Sequence, residues 1–278
     1  MQKMTLAVIA ASFLAITGCA QPVSLSTRGY AIDNSRASIS SVLPKWRSQF
    51  EEGHFRSRSG MILPYRIARP SVDSPRPLVI VLHGTGEMGA DNERHLTPFA
   101  ASWVQLHDYP EIAPIIVAPQ VNLRSANYKM CGRIRCASRP GPSFEALLEL
   151  LDTFATSEAV DPNQIHMVGF SMGGATALHL ALARPDLVTA IAVFGAVPPP
   201  KDSAPELKRI NLLVVQGTKD RNHPIEVMQE WIDHLNASGG EATLDIRKGM
   251  KHKIPEDMLV DETWRRLWLQ QQPLDGES

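Results

Sequence analysis

Gly169-Phe170-Ser171-Met172-Gly173 is the stretch of this chain with the most chemistry in it. It lies between an apolar, β-like run at residues 164–168 and a helix-like run at 174–184. A strand that passes directly into a helix must turn sharply, and glycines on either side of a serine let the backbone do so while lifting the hydroxyl out of the sheet. Ser171 is therefore a candidate nucleophile. The pattern by itself is weak evidence: with glycine and serine each near 7% of average usage, it arises by chance in about one chain in ten of this length. A serine at a glycine-rich helix entry can also act only as a cap, so the decision rests on partners elsewhere.

Three further segments supply them. Residues 77–82, Pro-Leu-Val-Ile-Val-Leu, read as a strand buried on both faces, and they run into His83-Gly84-Thr85-Gly86-Glu87-Met88-Gly89. A glycine-rich loop at a strand's carboxyl end lets backbone N–H groups approach a developing oxyanion. The N–H of Thr85 or Gly86, paired with that of Met172, is the expected oxyanion hole. Leu212-Leu213-Val214-Val215-Gln216 is a second buried-type strand ending in Gly217-Thr218-Lys219-Asp220, which makes Asp220 the candidate acid, with a backbone-bonding turn residue as its alternative. Residues 242–247 read as a strand, and the loop after them, Lys248-Gly249-Met250-Lys251-His252, offers the candidate base. Of the other eight histidines, His223 lies very near Asp220 in sequence, His166 falls on a strand, His179 falls on a helix, and His83 is expected to brace its loop.

A serine hydroxyl is a poor nucleophile at neutral pH, so an imidazole must take its proton and a carboxylate must orient that imidazole. The order Ser171, Asp220, His252 is the one found in α/β-hydrolases. The chain resembles that superfamily, and within it the esterase branch of dienelactone-hydrolase-like, phospholipase/carboxylesterase-like and polyhydroxybutyrate-depolymerase-like enzymes. The resemblance rests on Leu82-His83-Gly84-Thr85-Gly86-Glu87, Val117-Ala118-Pro119-Gln120, Val160-Asp161-Pro162-Asn163-Gln164-Ile165 and Gly217-Thr218-Lys219-Asp220, spread over residues 60–255. Two positions depart from the branch: Gln216 stands where histidine often precedes the glycine, and Lys251-His252 replaces Gly-His. The resemblance implies an α/β fold with a mostly parallel twisted sheet, helices on both faces and an N-terminal antiparallel hairpin. It also implies cleavage of a small ester through an acyl-enzyme, with no metal and no organic cofactor.

The amino terminus resembles a bacterial lipoprotein signal. Met1-Gln2-Lys3 is a short basic start, residues 4–16 are apolar but too few to span a bilayer, and Ile16-Thr17-Gly18-Cys19 reads as a lipobox with isoleucine in its first place. The resemblance implies removal of residues 1–18, diacylglycerol on the Cys19 thiol, and acylation of its new amino group. Each buried CH₂ is worth about 0.8 kcal/mol, so several chains would anchor the protein firmly. Ala20 in place of aspartate points by the same resemblance to the outer membrane, facing the periplasm. An ordinary secretory signal or a short buried helix are the alternatives. Lipidation of Cys19 would leave Cys131 and Cys136, close enough for a small disulfide loop in an oxidising compartment. A metal site is the weaker alternative, since no second ligand pair is suitably spaced.

Composition fits one globular domain: 278 residues, 44% hydrophobic and 21% charged, with no internal repeat. A net charge of -1 and the lack of basic helices or zinc-finger spacings give no sign of nucleic acid as a partner. A serine-rich stretch at 24–41 reads as part of a tether over residues 19–41, leaving 42–278 for the catalytic domain. Residues 53–58 and 61–68 flank Ser59-Gly60 as an antiparallel hairpin, and helical runs are expected at 144–156, 172–184, 225–236 and 256–270. Between Glu111 and Glu145 there is no acidic residue, yet Arg124, Lys129, Arg133, Arg135 and Arg139 lie there, in an expected loop. It is either a basic rim beside the active site or a solvated loop pinned by Cys131 and Cys136. Trp103, Phe170, Met172 and Phe194 are candidates for the acyl pocket or for the core.

The resulting expectation is a membrane-anchored serine carboxylesterase of the bacterial cell envelope. A serine peptidase of the prolyl-oligopeptidase type is the alternative among enzymes, and a catalytically silent lipoprotein that binds an envelope partner is the alternative outside them. Oligomeric state, natural substrate and acyl preference are left open.

Overall fold

The computed structural model of the chain describes residues 39–72 and 74–270. The expected signal at 1–18 and the lipidation site Cys19 lie outside the described residues. No helix among those described is long and apolar enough to cross a membrane.

Among the described residues ten strands form, in chain order: β1 (Glu51–Arg56), β2 (Ile62–Ala68), β3 (Arg76–Leu82), β4 (Ile115–Pro119), β5 (Ala126–Cys131), β6 (Ile134–Pro140), β7 (Val160–Phe170), β8 (Ala190–Phe194), β9 (Asn211–Gly217) and β10 (Ala242–Arg247). Eight of them make one sheet in the order β1-β2-β4-β3-β7-β8-β9-β10. Only β2 runs against its neighbours, so the sheet is parallel from β4 to β10 and carries the expected hairpin at one edge. The helices are α1 (Ile39–Arg47), α2 (Pro98–Ala101), α3 (Phe144–Ala155), α4 (Met172–Ala183), α5 (Ile225–Ala237), α6 (Asp257–Val260) and α7 (Thr263–Leu269).

Parallel strands need crossovers, and the crossover helices cover both faces, which is why the central strands are apolar without alternation. Every residue of β3 is buried. Leu78, Ile80 and Leu82 enter a core shared with α3, α4 and α5, while Val79 and Val81 enter a second core with α1, α2 and α7. Helix α4 is buried almost all round, from Met172 to Ala181. A helix so enclosed holds its first turn rigidly, and that turn follows Ser171.

Helix α1 starts at Ile39, within the residues expected as tether, and Trp46 and Phe50 are buried in the second core. Two expectations need correction. The expected single helix at 256–270 is two, α6 and α7. Asp261 caps the restart by accepting the Thr263 N–H at 2.9 Å, and the buried Arg265 guanidinium donates to the Met258 and Leu259 carbonyls at 2.8 and 3.0 Å. The basic stretch expected as a loop is instead the antiparallel hairpin β5–β6, closed at its tip by a Cys131–Cys136 disulfide.

Candidate active site

Ser171 occupies the turn between β7 and α4 at φ 55° and ψ -114°. A non-glycine residue at positive φ is strained, and the strain persists because neighbours over-determine it. The Ser171 N–H donates to the Phe194 carbonyl of β8 at 2.8 Å. A Cβ on Gly173 would stand 2.1 Å from the Leu82 carbonyl oxygen, and one on Gly169 would stand 2.3 Å from that of Gly173. The two glycines of the motif therefore permit α4 to start directly against the ends of β7 and β3.

The acid and the imidazole come from two loops sewn together. After β9, Lys219 N–H donates to the Met250 carbonyl at 2.9 Å and Thr218 N–H to that of Arg247 at 3.1 Å, while Gly249 N–H reaches the Thr218 hydroxyl at 2.7 Å. His252 Nδ1 lies 2.6 Å from Asp220 Oδ2, and its Nε2 lies 2.9 Å from Ser171 Oγ. The other carboxylate oxygen accepts the N–H groups of Asn222 at 3.0 Å and His223 at 3.1 Å. Burial opposes the charge on Asp220, but hydrogen bonds from His223 and His252 outweigh it and hold the carboxyl below the usual carboxylate range. Gln216, one of the departures from the family pattern, donates its amide to the His223 carbonyl and so ties down the acid's loop. The His252 ring is held between two others, Phe170 at 4.7 Å and His223 at 4.3 Å between centroids.

Thr85 to Glu87 form a single 3-10 turn whose bonds run from Glu87 N–H to the Gly84 carbonyl and from Met88 N–H to that of Thr85. The first N–H groups of such a turn, here Thr85 and Gly86, have no partner within it. A Cβ on Gly86 would meet nothing within 4 Å. His83 braces this loop as expected: its Nδ1 donates to the Gly84 carbonyl at 2.6 Å and its Nε2 accepts the Val121 N–H at 3.1 Å. Burial lowers its pKa to about 4, so it stays neutral. His179 and His166 lie on α4 and β7, as their sequence positions implied.

The β5–β6 hairpin reaches the same site. Arg135 of β6 donates to His223 Nε2 at 3.1 Å, and its guanidinium lies 4.5 Å over the Tyr128 ring, with Arg124 at 5.2 Å. The Tyr128 hydroxyl comes close to Ser171, is buried and makes no regular hydrogen bond; burial raises its pKa against the pull of Arg135 and Arg124. Ser138 N–H fastens the hairpin to the Pro198 carbonyl at 2.7 Å. Of the four pocket candidates, Phe170 lines a cavity. That cavity is about 200 Å³ and also includes His83, Gly84, Phe99 and Ile254. Trp103, Met172 and Phe194 are fully buried core residues.

Sequence reasoning set His223 aside as the base, did not single out Tyr128, and named Arg135 only as one residue of a possible basic rim. Asp-x-x-His at 220–223 was the available signal for the first. The other two depend on a hairpin folding back over the sheet edge, and no local pattern records that. Asp220, His223 and His252 bring ligand-type atoms within 4.8 Å of one another. Parallel stacked rings aim their nitrogen lone pairs side by side instead of at one point, which suits hydrogen bonding through the shared carboxylate.

A parallel sheet with one antiparallel strand, a serine on a strained strand-to-helix turn, and an acid and a histidine after β9 and β10 define the α/β-hydrolase fold. A crystal structure of a thermostable esterase superposes with a TM-score of 0.65 at 23% identity, over 73% of this chain and 56% of that one. Residues 138–262 match the phospholipase/carboxylesterase family model. NocK of Nocardia uniformis subsp. tsuyamanensis, named as an esterase, is 29% identical over 160 residues, covering 56% of this chain and 44% of that protein. A poly(3-hydroxybutyrate) depolymerase of Ralstonia pickettii is 30% identical over 132 residues, 45% of this chain and 26% of that protein. The chain thus spans less than half the length of either relative. Over part of its length it is similar to esterases, and its fold is that of the α/β-hydrolases.

Proposed function

We propose that this protein hydrolyses small carboxylic esters through an acyl-enzyme formed on Ser171. The observation that carries the reading is the unbroken chain of contacts from Ser171 Oγ through His252 to Asp220, at 2.9 and 2.6 Å. Ser171 Oγ attacks the ester carbonyl carbon as His252 Nε2 takes its proton, and the carbonyl π electrons move onto oxygen. The N–H groups of Met172 and of Thr85 or Gly86 receive that oxyanion. The intermediate collapses, the C–O bond to the alcohol breaks, and Nε2–H protonates the departing oxygen. Water then repeats the cycle on the acyl-enzyme, releasing the acid and restoring Ser171. The cavity of about 200 Å³ beside Phe170 is smaller than those that hold drug-sized ligands and suits a short acyl group. The resemblance of the amino terminus to a lipoprotein signal supports a place for the protein at the envelope membrane, held by lipid on Cys19.

Ser171→Ala is the direct test. It should cost on the order of 10⁶-fold in kcat on p-nitrophenyl esters and abolish labelling by a fluorophosphonate probe. Retention of most of the rate would overturn the mechanism. A graded series of p-nitrophenyl esters compared with aminoacyl nitroanilides separates esterase from peptidase. A mass measurement of the protein from its native host finding an unmodified Cys19 would refute the anchor.

A further inference from the structure

The imidazole of His223 is the best-connected group near Asp220 that the acyl-transfer steps do not use. Its Nδ1 lies 3.4 Å from Asp220 Oδ1, its Nε2 faces Arg135 Nη1 at 3.1 Å, and its plane is 17° from that of His252 at 4.3 Å. Arginine can only donate, so Nε2 must be the accepting, unprotonated nitrogen, and the proton resides on Nδ1, facing the carboxylate. One tautomer of one charge state satisfies both neighbours.

We infer that His223 and Arg135 are positioning residues for the Ser171–His252–Asp220 set: Arg135 keeps His223 neutral, and neutral His223 steadies Asp220 and the face of His252 without competing for the carboxylate's charge. The inference rests on the ester-hydrolysis reading above. The consequence follows from Coulomb's law. When His252 takes the serine proton it becomes a cation stacked 4.3 Å from His223. A second cation at that distance would oppose it in a partly buried site, whereas a neutral ring does not.

The groups facing His223 agree. Asp220 lies on its own loop, His252 on the loop after β10, Arg135 on β6, and Tyr128 on β5, with its ring 5.9 Å away. Burial lowers the His223 pKa first of all; Asp220 pulls it back up, and the His252 and Arg135 charges push it down again. Arg135 sits on the strand that Cys136 ties to Cys131, and Ser138 anchors the same strand to Pro198. The hairpin therefore carries a fixed cation to a fixed place.

The test is the pH dependence of kcat for p-nitrophenyl acetate. Arg135→Met frees Nε2 to take a proton that Asp220 favours. Between pH 8 and pH 6 its kcat should fall about tenfold further than that of the wild type, while remaining within about threefold of it at pH 8 to 9. Arg135→Lys should restore the wild-type profile in large part. The double variant Arg135→Met with His223→Gln should lose the extra ionisation, because the group that titrates has gone. A merely structural role for Arg135 would lower kcat equally at every pH, and that result would overturn the proposal, as would an extra ionisation that persists without His223. The second readout needs no turnover: ¹⁵N spectra of the wild-type protein should find His223 neutral, with its proton on Nδ1, across the pH range in which the Arg135→Met variant loses activity. A proton on Nε2 in that range sinks the inference even if ester hydrolysis stands. Conversely, a wild-type protein that fails to hydrolyse esters or react with fluorophosphonate sinks the functional reading and leaves the tautomer assignment intact.

Discussion

Asp220→Asn tests the electrostatic logic with little change of shape. The two carboxylate oxygens have different tasks: Oδ1 accepts two backbone N–H groups, of Asn222 and His223, and Oδ2 alone faces His252 Nδ1. An amide in this position has one acceptor and one donor end. The backbone donors are fixed by the loop, so the amide oxygen must take the Oδ1 place and the NH₂ must face Nδ1. The imidazole is then forced to accept at Nδ1 and carry its proton on Nε2, the nitrogen that should receive the proton of Ser171. It can no longer act as base. In a Ser-His-Asp enzyme this tautomer reversal costs about 10⁴-fold in kcat, equivalent to about 5.5 kcal/mol of barrier. KM for a short p-nitrophenyl ester should change little, since the acid does not touch substrate. The assay is steady-state hydrolysis near pH 7.5, paired with thermal melting to verify the fold. A folded Asp220→Asn enzyme within tenfold of wild-type kcat would refute the argument, because it would mean His252 does not depend on Asp220 for its tautomer.

Two further outcomes follow from packing and burial. Gly173→Ala places a methyl 2.1 Å from the Leu82 carbonyl oxygen and 2.7 Å from that of His83, both backbone atoms with no rotamer to yield. It should cost roughly 1–3 kcal/mol or more of stability and displace the Ser171 turn, so that both melting temperature and kcat fall. A variant unchanged in both would mean that α4 does not abut β3 as described. Acid sensitivity should come from buried neutral histidines. Burial lowers His83, His95 and His179 to about 4 and His166 to about 3, each from an ordinary value of 6.5. Between those values the unfolded chain binds protons that the folded one does not. Stability is therefore complete above about pH 6.5 and falls as pH drops toward 4, by up to about 3 kcal/mol for each such histidine. Urea unfolding at pH 7.5, 6 and 5 measures this, and equal stability at all three would contradict it.

Ser171, Asp220 and His252 were readable because each ends a segment with a strong local signature. An apolar run long enough for a buried strand and then a glycine-containing turn reports where a strand stops, and a parallel sheet gathers such ends along one edge. The glycine-rich loop at 83–89 was legible for the same reason. Helix boundaries came through within a residue or two where the apolar periodicity was strong, as for α3 and α5. The break between α6 and α7 did not, because it depends on Arg265 reaching back to carbonyls six and seven residues earlier.

The side chains around Ser171, Asp220 and His252 were of a different kind. Tyr128 and Arg135 belong to a stretch whose charge and polarity look like a loop, and its pairing as a hairpin is an antiparallel contact that composition does not encode. That His223 shares a carboxylate with His252 while stacking on its ring is a relation between two loops 29 residues apart in sequence and 4.3 Å apart in space. Residue order and type were enough to name an alcohol, an imidazole and an acid, since strand ends and turns are set by interactions within a few neighbours. Which rings press on that imidazole, which tautomer they impose, and which cation stands behind them were decided only by tertiary packing, since those contacts exist only once distant segments have been brought together by a shared core.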